Sequence, residues 1–423
     1  IAKSLKNNRA IYQKNAHQLF MPASSIKILT AIAALSFLGP DYQYHTEALT
    51  LNPPNRWGTI DNIYIHFDGD PLLTAEDINN FAQQISSQGI KKISGNIYID
   101  DTIFDNQPLA RGWAFDDLNY CCAAPISPIM VGGNCFLVKL TAPEKPNQPS
   151  DLTTNINHVS VINKIHYVTN GGKCSTKIGV TNKNQYSLSG CMGHKERTHF
   201  PFAINNLRLY IKELLVEQLR NNNIKLKGSI DFKKTPEYGS LNVLAKHQSE
   251  PLSEIIKPLL KNSDNSIANM IYKKIGHEYF KKPATWKNSA EAVTNILQSK
   301  SKINLDEITL DDGSGVSRYN FVSPDFLVTA LTQVYHDQSI RQVFIDALAE
   351  PGADGSLKKR MLNLKERIFA KTGGMKGAVS LAGYIKTKTR GMVAFAIIIN
   401  GFIDKPKNHF EIVDNICTIL ANS

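Results

Sequence analysis

The sequence predicts a multidomain α/β protein, and three observations lead to this prediction. The chain has 423 residues, which is long for one domain and indicates two or three. Hydrophobic residues make up 42% and charged residues 20%, a composition typical of globular rather than disordered proteins. The composition and the predicted secondary structure also change along the chain. Residues 46–244 are polar and rich in short strands, whereas the last third is more apolar and mostly helical.

The first 45 residues are predicted to form strand, turn and helix. Strand-forming residues occur at 10–12, and apolar residues recur at helical spacing over 25–38. Gly39 and Pro40 end this helix. Its predicted buried face consists of Ile28, Leu29, Ile32 and Leu35.

The middle of the chain, residues 46–244, alternates between short strands and turns. Near 134–200 it is polar and rich in turns, so we expect a β-rich part there. The other elements predicted in this segment are strands at 63–67 and 97–99 and helices over 75–88 and 204–219.

The last third of the chain is compact and apolar. Two apolar strands are predicted at 378–385 and 392–400, followed by a final amphipathic helix. The apolar residues of that final helix are Ile412, Val413, Ile416 and Leu420. The other predicted helices of this part cover 252–260, 264–275, 288–298, 324–335 and 340–348.

The net charge limits the classes of partner. Lysine and arginine number 48 against 37 aspartates and glutamates, which gives a formal net charge of +11. This excess is compatible with nucleic acid, an anionic envelope surface or an acidic polymer as a partner. The chain has no RNP-like aromatic motif and no zinc-finger spacing, which disfavours nucleic acid. A solvated basic surface without a specific partner is the alternative.

No apolar run reaches the roughly 18 residues of a membrane span, and the run at 392–400 has the length of a buried strand. The chain begins at Ile1 without a signal-peptide pattern, so we interpret it as a mature or trimmed product. This beginning does not argue for a cytoplasmic location.

The cysteine pattern favours disulfides over a metal site. No pair forms C-x-x-C, which disfavours zinc or thioredoxin-like chemistry. Two short loops suit disulfides in an oxidising compartment: one between Cys174 and Cys191, and one between Cys135 and either Cys121 or Cys122. Buried free thiols are the alternative. The six cysteines are Cys121, Cys122, Cys135, Cys174, Cys191 and Cys417.

The first motif that carries chemistry is an S-x-x-K at Ser24–Lys27, where a helix is predicted to begin. Residues i and i+3 share one face of a helix, so Lys27 can reach the Ser24 hydroxyl. A serine becomes a nucleophile when a neighbouring base takes its proton, and a lysine does this when burial or positive neighbours lower its pKa. The motif is weak alone, because Ser299–Lys302 and Ser356–Lys359 match it in Lys-rich stretches.

Two further motifs follow in order. Ser263-Asp264-Asn265 is an S-x-N, in which Ser263 could also serve as a helix N-cap. Lys371-Thr372-Gly373 is a K-T-G that occurs once and lies between two predicted strands. At a strand edge, its lysine and threonine can hold a carboxylate while the backbone pairs with an extended peptide. The order S-x-x-K, S-x-N, K-T-G is the set used by serine enzymes that recognise β-lactams.

On these motifs the chain resembles the D-alanyl-D-alanine carboxypeptidase/endopeptidases of the class C low-molecular-mass penicillin-binding proteins. The resemblance covers nearly the whole chain. It is carried by the segments 22–27, 112–117, 263–265, 312–318 and 370–373.

The resemblance implies the architecture and the setting. A penicillin-binding, serine β-lactamase-like α/β domain, with an antiparallel sheet and helices, would be formed by 1–45 and 245–423. The region 46–244 would be inserted as two domains. The implied substrates are peptidoglycan stem peptides and cross-links, β-lactams are covalent inhibitors, and the location is the periplasm. No cofactor, no metal and no nucleic acid is expected.

The resemblance also implies roles for the motif residues. Ser24 would be the acylated nucleophile and Lys27 its base. Ser263 would relay a proton to the leaving amine, and Asn265 would orient the substrate amide. Lys371 would be catalytic, with Thr372 and Gly373 binding the substrate.

Two more positions match residues thought to recognise a diaminopimelate side chain. Asp117 would contact its ammonium and Arg318 its carboxylate, since a zwitterionic end needs an anion and a bidentate cation. A turn residue and a surface ion pair are the respective alternatives. The chain departs from the family at Cys122, where an aromatic is usual, and at Lys376, where a polar amide is usual.

The family's cysteine spacing matches pairs Cys121–Cys135 and Cys174–Cys191, which leaves Cys122 and Cys417 free.

Two other functions compete with the peptidase. A class A β-lactamase would need an E-x-x-L-N, which the sequence lacks. A non-catalytic peptidoglycan-binding protein would lack Ser24, Lys27 or Lys371. The sequence leaves open the balance of carboxypeptidase and endopeptidase activity, and whether the protein is a monomer or a dimer.

Overall fold

The computed structural model of the chain describes residues 1–169, 174–193, 196–236, 241–300 and 304–423, without the side chains of 196–199 and 300. Lys302, the lysine of the second S-x-x-K match, lies outside the described residues, as do a few residues of the 134–200 part.

The chain divides into two compact units. The first consists of Ile1–Gln43, Ile103–Ala114 and Glu250–Ser423, and the second of Tyr44–Thr102 and Phe115–Ser249. The return of Ile103–Ala114 to the first unit has no counterpart in the boundaries expected from the sequence. The division of 46–244 into two inserted domains stays a prediction.

The first unit combines one large antiparallel sheet with helices. Its sheet has the strand order β19-β20-β21-β1-β2, so the first strands of the chain pair with the last. The strands are β1 (Ala2–Ser4), β2 (Ala10–Tyr12), β17 (Ile308–Thr309), β18 (Phe321–Val322), β19 (Ile368–Met375), β20 (Ala378–Lys386) and β21 (Met392–Asn400). The helices are α1 (Lys27–Phe37), α4 (Leu252–Lys261), α5 (Asn265–Phe280), α6 (Trp286–Lys300), α7 (Pro324–His336), α8 (Arg341–Ala347) and α9 (Pro406–Asn422).

Strand β20 is buried along all but its last residue, which is why apolar residues dominate its sequence. A two-residue turn joins it to β19, and Gly377 in that turn has a φ of +80°, a conformation that favours glycine. This hairpin leaves β19, the strand that carries the K-T-G motif, at one end of the sheet.

Helix α1 and helix α9 differ from the expected faces. In α1 all nine residues from Lys27 to Leu35 are buried, so the predicted four-residue face is part of a helix enclosed on every side. In α9 the buried residues are Val413, Cys417 and Ala421. Of the four apolar residues that the sequence gives for this helix, Ile412 and Ile416 are exposed, because the small side chains of Cys417 and Ala421 are the ones that pack with the sheet residues.

The second unit is β-rich. Its largest sheet has the order β15-β7-β5-β3-β16, and three three-stranded sheets accompany it. Its helices are α2 (Ala75–Ser87) and α3 (Leu207–Asn221). Its strands are β3 (His45–Thr50), β4 (Thr59–Ile60), β5 (Ile63–His66), β6 (Lys92–Ile93), β7 (Ile97–Asp100), β8 (Cys135–Thr141), β9 (Asp151–Thr154), β10 (Ser160–Tyr167), β11 (Thr176–Val180), β12 (Gln185–Met192), β13 (Glu196–Ala203), β14 (Lys225–Leu226), β15 (Ile230–Phe232) and β16 (Asn242–Gln248).

Helix α2 shows how local sequence fixes these elements. The Thr74 hydroxyl accepts from the Asp77 amide, and the Asp77 carboxylate accepts from the Thr74 amide, a reciprocal arrangement known as a capping box.

Across the described residues, no helix is both long and apolar enough to cross a membrane.

Candidate active site

Lys27 lies at the centre of the candidate site. Its side chain is fully buried, with 0% exposure. Its Nζ lies 3.0 Å from Ser24 Oγ, 2.6 Å from Asn265 Oδ1 and 2.5 Å from the carbonyl oxygen of Ser314. The structure therefore brings together three of the residues predicted from the sequence, Ser24, Lys27 and Asn265, and adds one backbone group.

The local backbone explains how Ser24 reaches the amine. Ala23–Ile26 form one turn of 3₁₀ helix, and α1 begins at Lys27, so serine and lysine sit on successive turns. Ala23 has a φ of +46°, an uncommon conformation for a residue with a side chain. The backbone of Gly315 lies against it, so closely that a Cβ on Gly315 would be 2.0 Å from the Ala23 carbonyl oxygen.

The S-x-N motif is placed by the start of α5. Asp264 is the N-cap of this helix, because its side chain accepts a hydrogen bond from the Ile267 amide at 2.9 Å. The alternative interpretation of Ser263 as the N-cap is therefore wrong. Ser263 precedes the cap with a φ of +63°, and Asn265 is the first helical residue.

The K-T-G motif lies on β19, next to the nucleophile. A Cβ on Gly373 would be 2.6 Å from the Pro22 carbonyl oxygen and 3.1 Å from the Ser24 nitrogen, so only glycine lets the strand approach this closely. Ser380 completes the contact, since its Oγ donates to Pro22 O at 2.6 Å.

The outer edge of β19 exposes backbone groups. Ala370 exchanges hydrogen bonds of 3.0 and 3.2 Å with Ala349 on the side away from β20. Backbone groups alternate in direction along a strand, so those of Thr372 and Gly374 also point away from β20. The Thr372 hydroxyl donates to Ser356 Oγ at 2.7 Å. Ser356, the serine of the third S-x-x-K match, therefore lies at this edge.

Burial sets the electrostatics of the site. It lowers the pKa of Lys27 from its ordinary value of 10.5 to about 7, although the charges of Asp312 and Asp264 oppose this change. Burial also holds the pKa of Lys371 well below its ordinary value, and the charge of Lys27 adds to the effect. Lys371 Nζ donates to the Thr372 carbonyl at 2.8 Å. Near neutral pH, a substantial fraction of Lys27 is an unprotonated amine.

Arg318 and Lys376 lie close together in the first unit. Arg318 is partly exposed, and its guanidinium donates to the carbonyl oxygen of Lys376 at 3.4 Å. Its backbone amide donates to Gly112 O at 3.1 Å. The position at which this chain carries an extra lysine therefore adjoins the predicted arginine.

Asp117 lies in the second unit, in a short 3₁₀ turn over Phe115–Asp117. Its recognition of substrate stays a prediction.

In the second unit, the pairs Cys121–Cys135 and Cys174–Cys191 are disulfides, with Cα separations of 5.6 and 5.2 Å. Among the described residues, the exposed Cys122 and the buried Cys417 form no disulfide, as expected.

Two groups of the site had no signal in the motifs. The Ser314 carbonyl binds Lys27, but any residue type supplies a carbonyl. Ser25 Oγ lies 2.7 Å from Ser380 Oγ and links the nucleophile turn to β20, but a serine pair 355 residues apart has no pattern to reveal it. The D-G-S-G segment at 312–315 contributes to the resemblance, but the sequence indicates no role for it.

Known proteins match both the sequence and the fold. The chain is 31% identical over 412 residues to D-alanyl-D-alanine carboxypeptidase DacB of Haemophilus influenzae, covering 95% of this chain and 85% of the relative. It is 29% identical to D-alanyl-D-alanine carboxypeptidase of Actinomadura sp. strain R39, covering 92% and 75%. The crystal structure of penicillin binding protein 4 from Haemophilus influenzae superposes with a TM-score of 0.91 at 28% identity, over 100% of this chain and 96% of the other.

These likenesses confirm the predicted α/β multidomain fold and the resemblance to the class C penicillin-binding proteins. A family model for the D-Ala-D-Ala carboxypeptidase 3 (S13) family matches residues 1–423. The chain belongs to this S13 family of D-Ala-D-Ala carboxypeptidases.

Proposed function

We propose that this serine-type D-Ala-D-Ala carboxypeptidase cleaves peptidoglycan peptides through an acyl-enzyme on Ser24, with Lys27 as the base. One observation carries the proposal: Lys27 Nζ has three partners at hydrogen-bond distance. A neutral amine has two N–H donors and one lone pair. If the donors serve Asn265 Oδ1 and Ser314 O, the lone pair faces the Ser24 hydroxyl and can accept its proton.

The chemical steps follow from this arrangement. Ser24 Oγ attacks the carbonyl carbon of the scissile D-Ala-D-Ala bond while its proton passes to Lys27. The tetrahedral oxygen lies between the amides of Ser24 and Gly374, the first at the nucleophile turn and the second on the outer edge of β19. Collapse of the tetrahedral intermediate breaks the C–N bond, and Ser263 relays the proton held by Lys27 to the leaving amine. Water then attacks the ester while its proton passes to Lys27, and Lys27 returns this proton to Ser24 Oγ as the ester C–O bond breaks.

The K-T-G strand positions the substrate in this proposal. The peptide lies along the outer edge of β19 as an added strand, and the terminal carboxylate binds beside Thr372 and Lys371. A carboxylate arriving next to Lys371 raises the pKa of its buried amine and so strengthens the charge-assisted contact. Asn265 orients the substrate amide while its Oδ1 holds Lys27.

The setting of the enzyme is also part of the proposal. Penicillin binding protein 4 of Haemophilus influenzae has been crystallised with a β-lactam, and on that basis we propose that β-lactams acylate Ser24. The substrates would be stem peptides and cross-links of peptidoglycan, which places the enzyme in the periplasm. Two disulfides in the second unit are in keeping with an oxidising compartment.

The test is intact-mass measurement after treatment with penicillin, followed by peptide mapping. We expect one adduct, on Ser24, and none in Ser24→Ala. Ser356 is a true competitor, because it also begins an S-x-x-K and contacts Thr372. An adduct on Ser356, or none, contradicts the proposal. An adduct lost within seconds by hydrolysis would favour the β-lactamase alternative.

A further inference from the structure

Asp312 is a carboxylate with 0% exposure, in the segment between β17 and β18. Six hydrogen bonds converge on its two oxygens. Oδ1 accepts from Ser314 N (3.1 Å), Gly315 N (2.7 Å) and Asn320 Nδ2 (2.7 Å), and Oδ2 accepts from Trp113 Nε1 (2.8 Å), Ser314 Oγ (3.1 Å) and Ser317 N (2.8 Å). Among the described residues, no cation forms a direct ion pair with it, so its hydrogen-bond partners are all neutral donors.

The turn that Asp312 organises touches the catalytic groups at two points. The Ser314 carbonyl accepts from Lys27 Nζ at 2.5 Å. Gly315 has a φ of +85° and lies against the Ala23 carbonyl and the Ser24 nitrogen, so the turn also supports the strained backbone before the nucleophile. Both residues donate their amides to Asp312 Oδ1, and the carboxylate therefore sets where their other atoms lie.

Neighbouring elements hold the turn from its other side. Thr30 on α1 donates its hydroxyl to Gly313 O at 2.8 Å. Asn269 on α5 accepts from the Gly313 amide at 3.0 Å and donates to Ser314 Oγ at 3.2 Å. The turn thus has little freedom, and a change at Asp312 is transmitted to Lys27 rather than absorbed.

The charged and titratable groups around Lys27 are few. Asp312 acts on it from the turn and Asp264 from the start of α5, and both carboxylates favour its protonated form. Lys371 on β19 opposes protonation, since each buried amine repels the other's charge. Tyr272 on α5 is buried and is influenced by Asp312, and its pKa is raised well above its ordinary value, so it stays neutral.

We propose that Asp312 is a positioning residue for the reaction of Ser24 and Lys27: its carboxylate fixes the Ser314 carbonyl against the lysine and holds Gly315 against the backbone that carries the nucleophile. This inference rests on the proposed function, in which Lys27 acts as the base. Asp312 does not touch substrate, and its effect passes through the turn and through the electric field.

The test measures the rate of Ser24 acylation by a penicillin as a function of pH in wild type and in Asp312→Asn. The acid limb of this profile reports deprotonation of the Lys27–Lys371 pair. Loss of the negative charge favours the neutral amine, so the limb is expected to move to lower pH by about one unit. The plateau is expected to fall by about tenfold, because the amide presents a donor to Trp113 and Ser317 where an acceptor is needed.

Trp113→Phe provides a second variant, for which the acid limb of the pH profile is expected to shift in the opposite direction. It removes one donor from Asp312 Oδ2 and keeps the carboxylate, whose charge is then less compensated. The acid limb is expected to move slightly to higher pH. If Asp312 merely held the fold together, both variants would have a lower maximal rate of acylation, and the acid limb of the pH profile would stay at the wild-type pH. If Asp312→Asn fails to fold, an unchanged or lowered limb in Trp113→Phe overturns the proposal.

Asp311→Asn is the matched control. Asp311 is the neighbouring acid, pairs with the exposed Arg111 at 3.3 Å and makes no contact with Lys27. The acid limb of the acylation profile of Asp311→Asn should lie at the same pH as that of wild type. The inference is overturned if Asp311→Asn shifts this limb as much as Asp312→Asn does, or if folded Asp312→Asn leaves it at the wild-type pH. Failure of the proposed function has a separate signature, because wild type itself would then carry no adduct on Ser24.

Discussion

Two parts of the candidate site are built in opposite ways. Lys27 has no exposed surface and is held by Ser24, Asn265 and the Ser314 carbonyl, whereas Arg318 is partly exposed and its guanidinium donates to a backbone carbonyl at 3.4 Å. The buried amine needs a shifted pKa, which water would restore, so the protein excludes water and fixes the partners. The recognition role proposed for Arg318 requires access to substrate instead. If both proposed roles hold, catalysis depends on the buried part of the site and selectivity on the exposed part.

The sharpest test of this contrast is Lys27→Ala. Acylation by penicillin is expected to fall by about 10³–10⁴-fold, since the general base is lost. The variant should still fold, because the depressed pKa of Lys27 means that its charged form lowers the free energy of unfolding. Lys359→Ala is the matched control, as it removes the exposed lysine of the third S-x-x-K match. Retained acylation in folded Lys27→Ala would reject its role as base.

The next effect concerns Arg318→Ala. For peptides with a free diaminopimelate end, kcat/KM is expected to fall by about tenfold to hundredfold, while acylation by a penicillin without that group changes little. Lys376 adjoins Arg318 and can mask the loss, so the double variant Arg318→Ala with Lys376→Ala should lose more than the single one. Asp117→Asn is expected to act in the same direction through the ammonium.

Equal losses for peptides with and without the zwitterionic end would end this hypothesis. If Arg318 only braces its turn, penicillin acylation and thermal stability would fall together with peptidase activity. That outcome would also break the contrast, because the exposed cation would then belong to the rigid part of the site.

A smaller effect is expected in the pH dependence of stability. Between pH 7 and 10.5 the unfolded state keeps a proton on Lys27 that the folded state has released, so stability should rise with pH through this window. Lys371 has the same sign. Thermal unfolding at several pH values should show Tm increasing from pH 7 to pH 9 with a shallower slope in Lys27→Met, and Lys359→Met should follow wild type. A slope identical in Lys27→Met and wild type would show that Lys27 titrates normally.

The smallest expected effect is that of salt. Raising the ionic strength from about 0.05 to 0.5 M shortens the screening length to a few ångströms, so recognition by the exposed cations should weaken by about twofold to fivefold in KM. Acylation by a neutral penicillin ester depends on buried groups and should be unaffected. Equal salt dependence of the two reactions would mean that the exposed cations do not select the substrate.

The sequence predicted the site well where side chains carry the chemistry. Ser24, Lys27 and Asn265 meet as the motif order indicated, and Lys371 lies on the strand beside them, because each role requires a particular residue type. The Ser314 carbonyl could not be predicted, since every residue has one. Its placement depends on Asp312, which reads in a sequence as an ordinary turn aspartate.

The fold shows the same limit. Apolar runs predicted β20 and β21 almost to the residue, because β20 is buried along nearly its whole length and the first half of β21 is mostly buried. The buried face of α9 does not follow from its sequence, since large exposed isoleucines outweigh small buried residues in a hydropathy pattern. The return of Ile103–Ala114 to the first unit depends on contacts such as Lys273–Asp105, 168 residues apart, which no local pattern encodes.

Strand β1 pairs with β21, and the amine of Ile1 donates to Ala396, 395 positions along the chain. A polypeptide synthesised from its amino end therefore contains the Ser24 turn long before β19, β20 and β21 have been made. Forming contacts over so great a sequence separation is slow, and β1 lacks its partner strand until β21 exists. The proposed nucleophile and base are thus present in the nascent polypeptide before the sheet that frames them. Deletion of β20 and β21 is expected to abolish catalysis without removing Ser24 or Lys27.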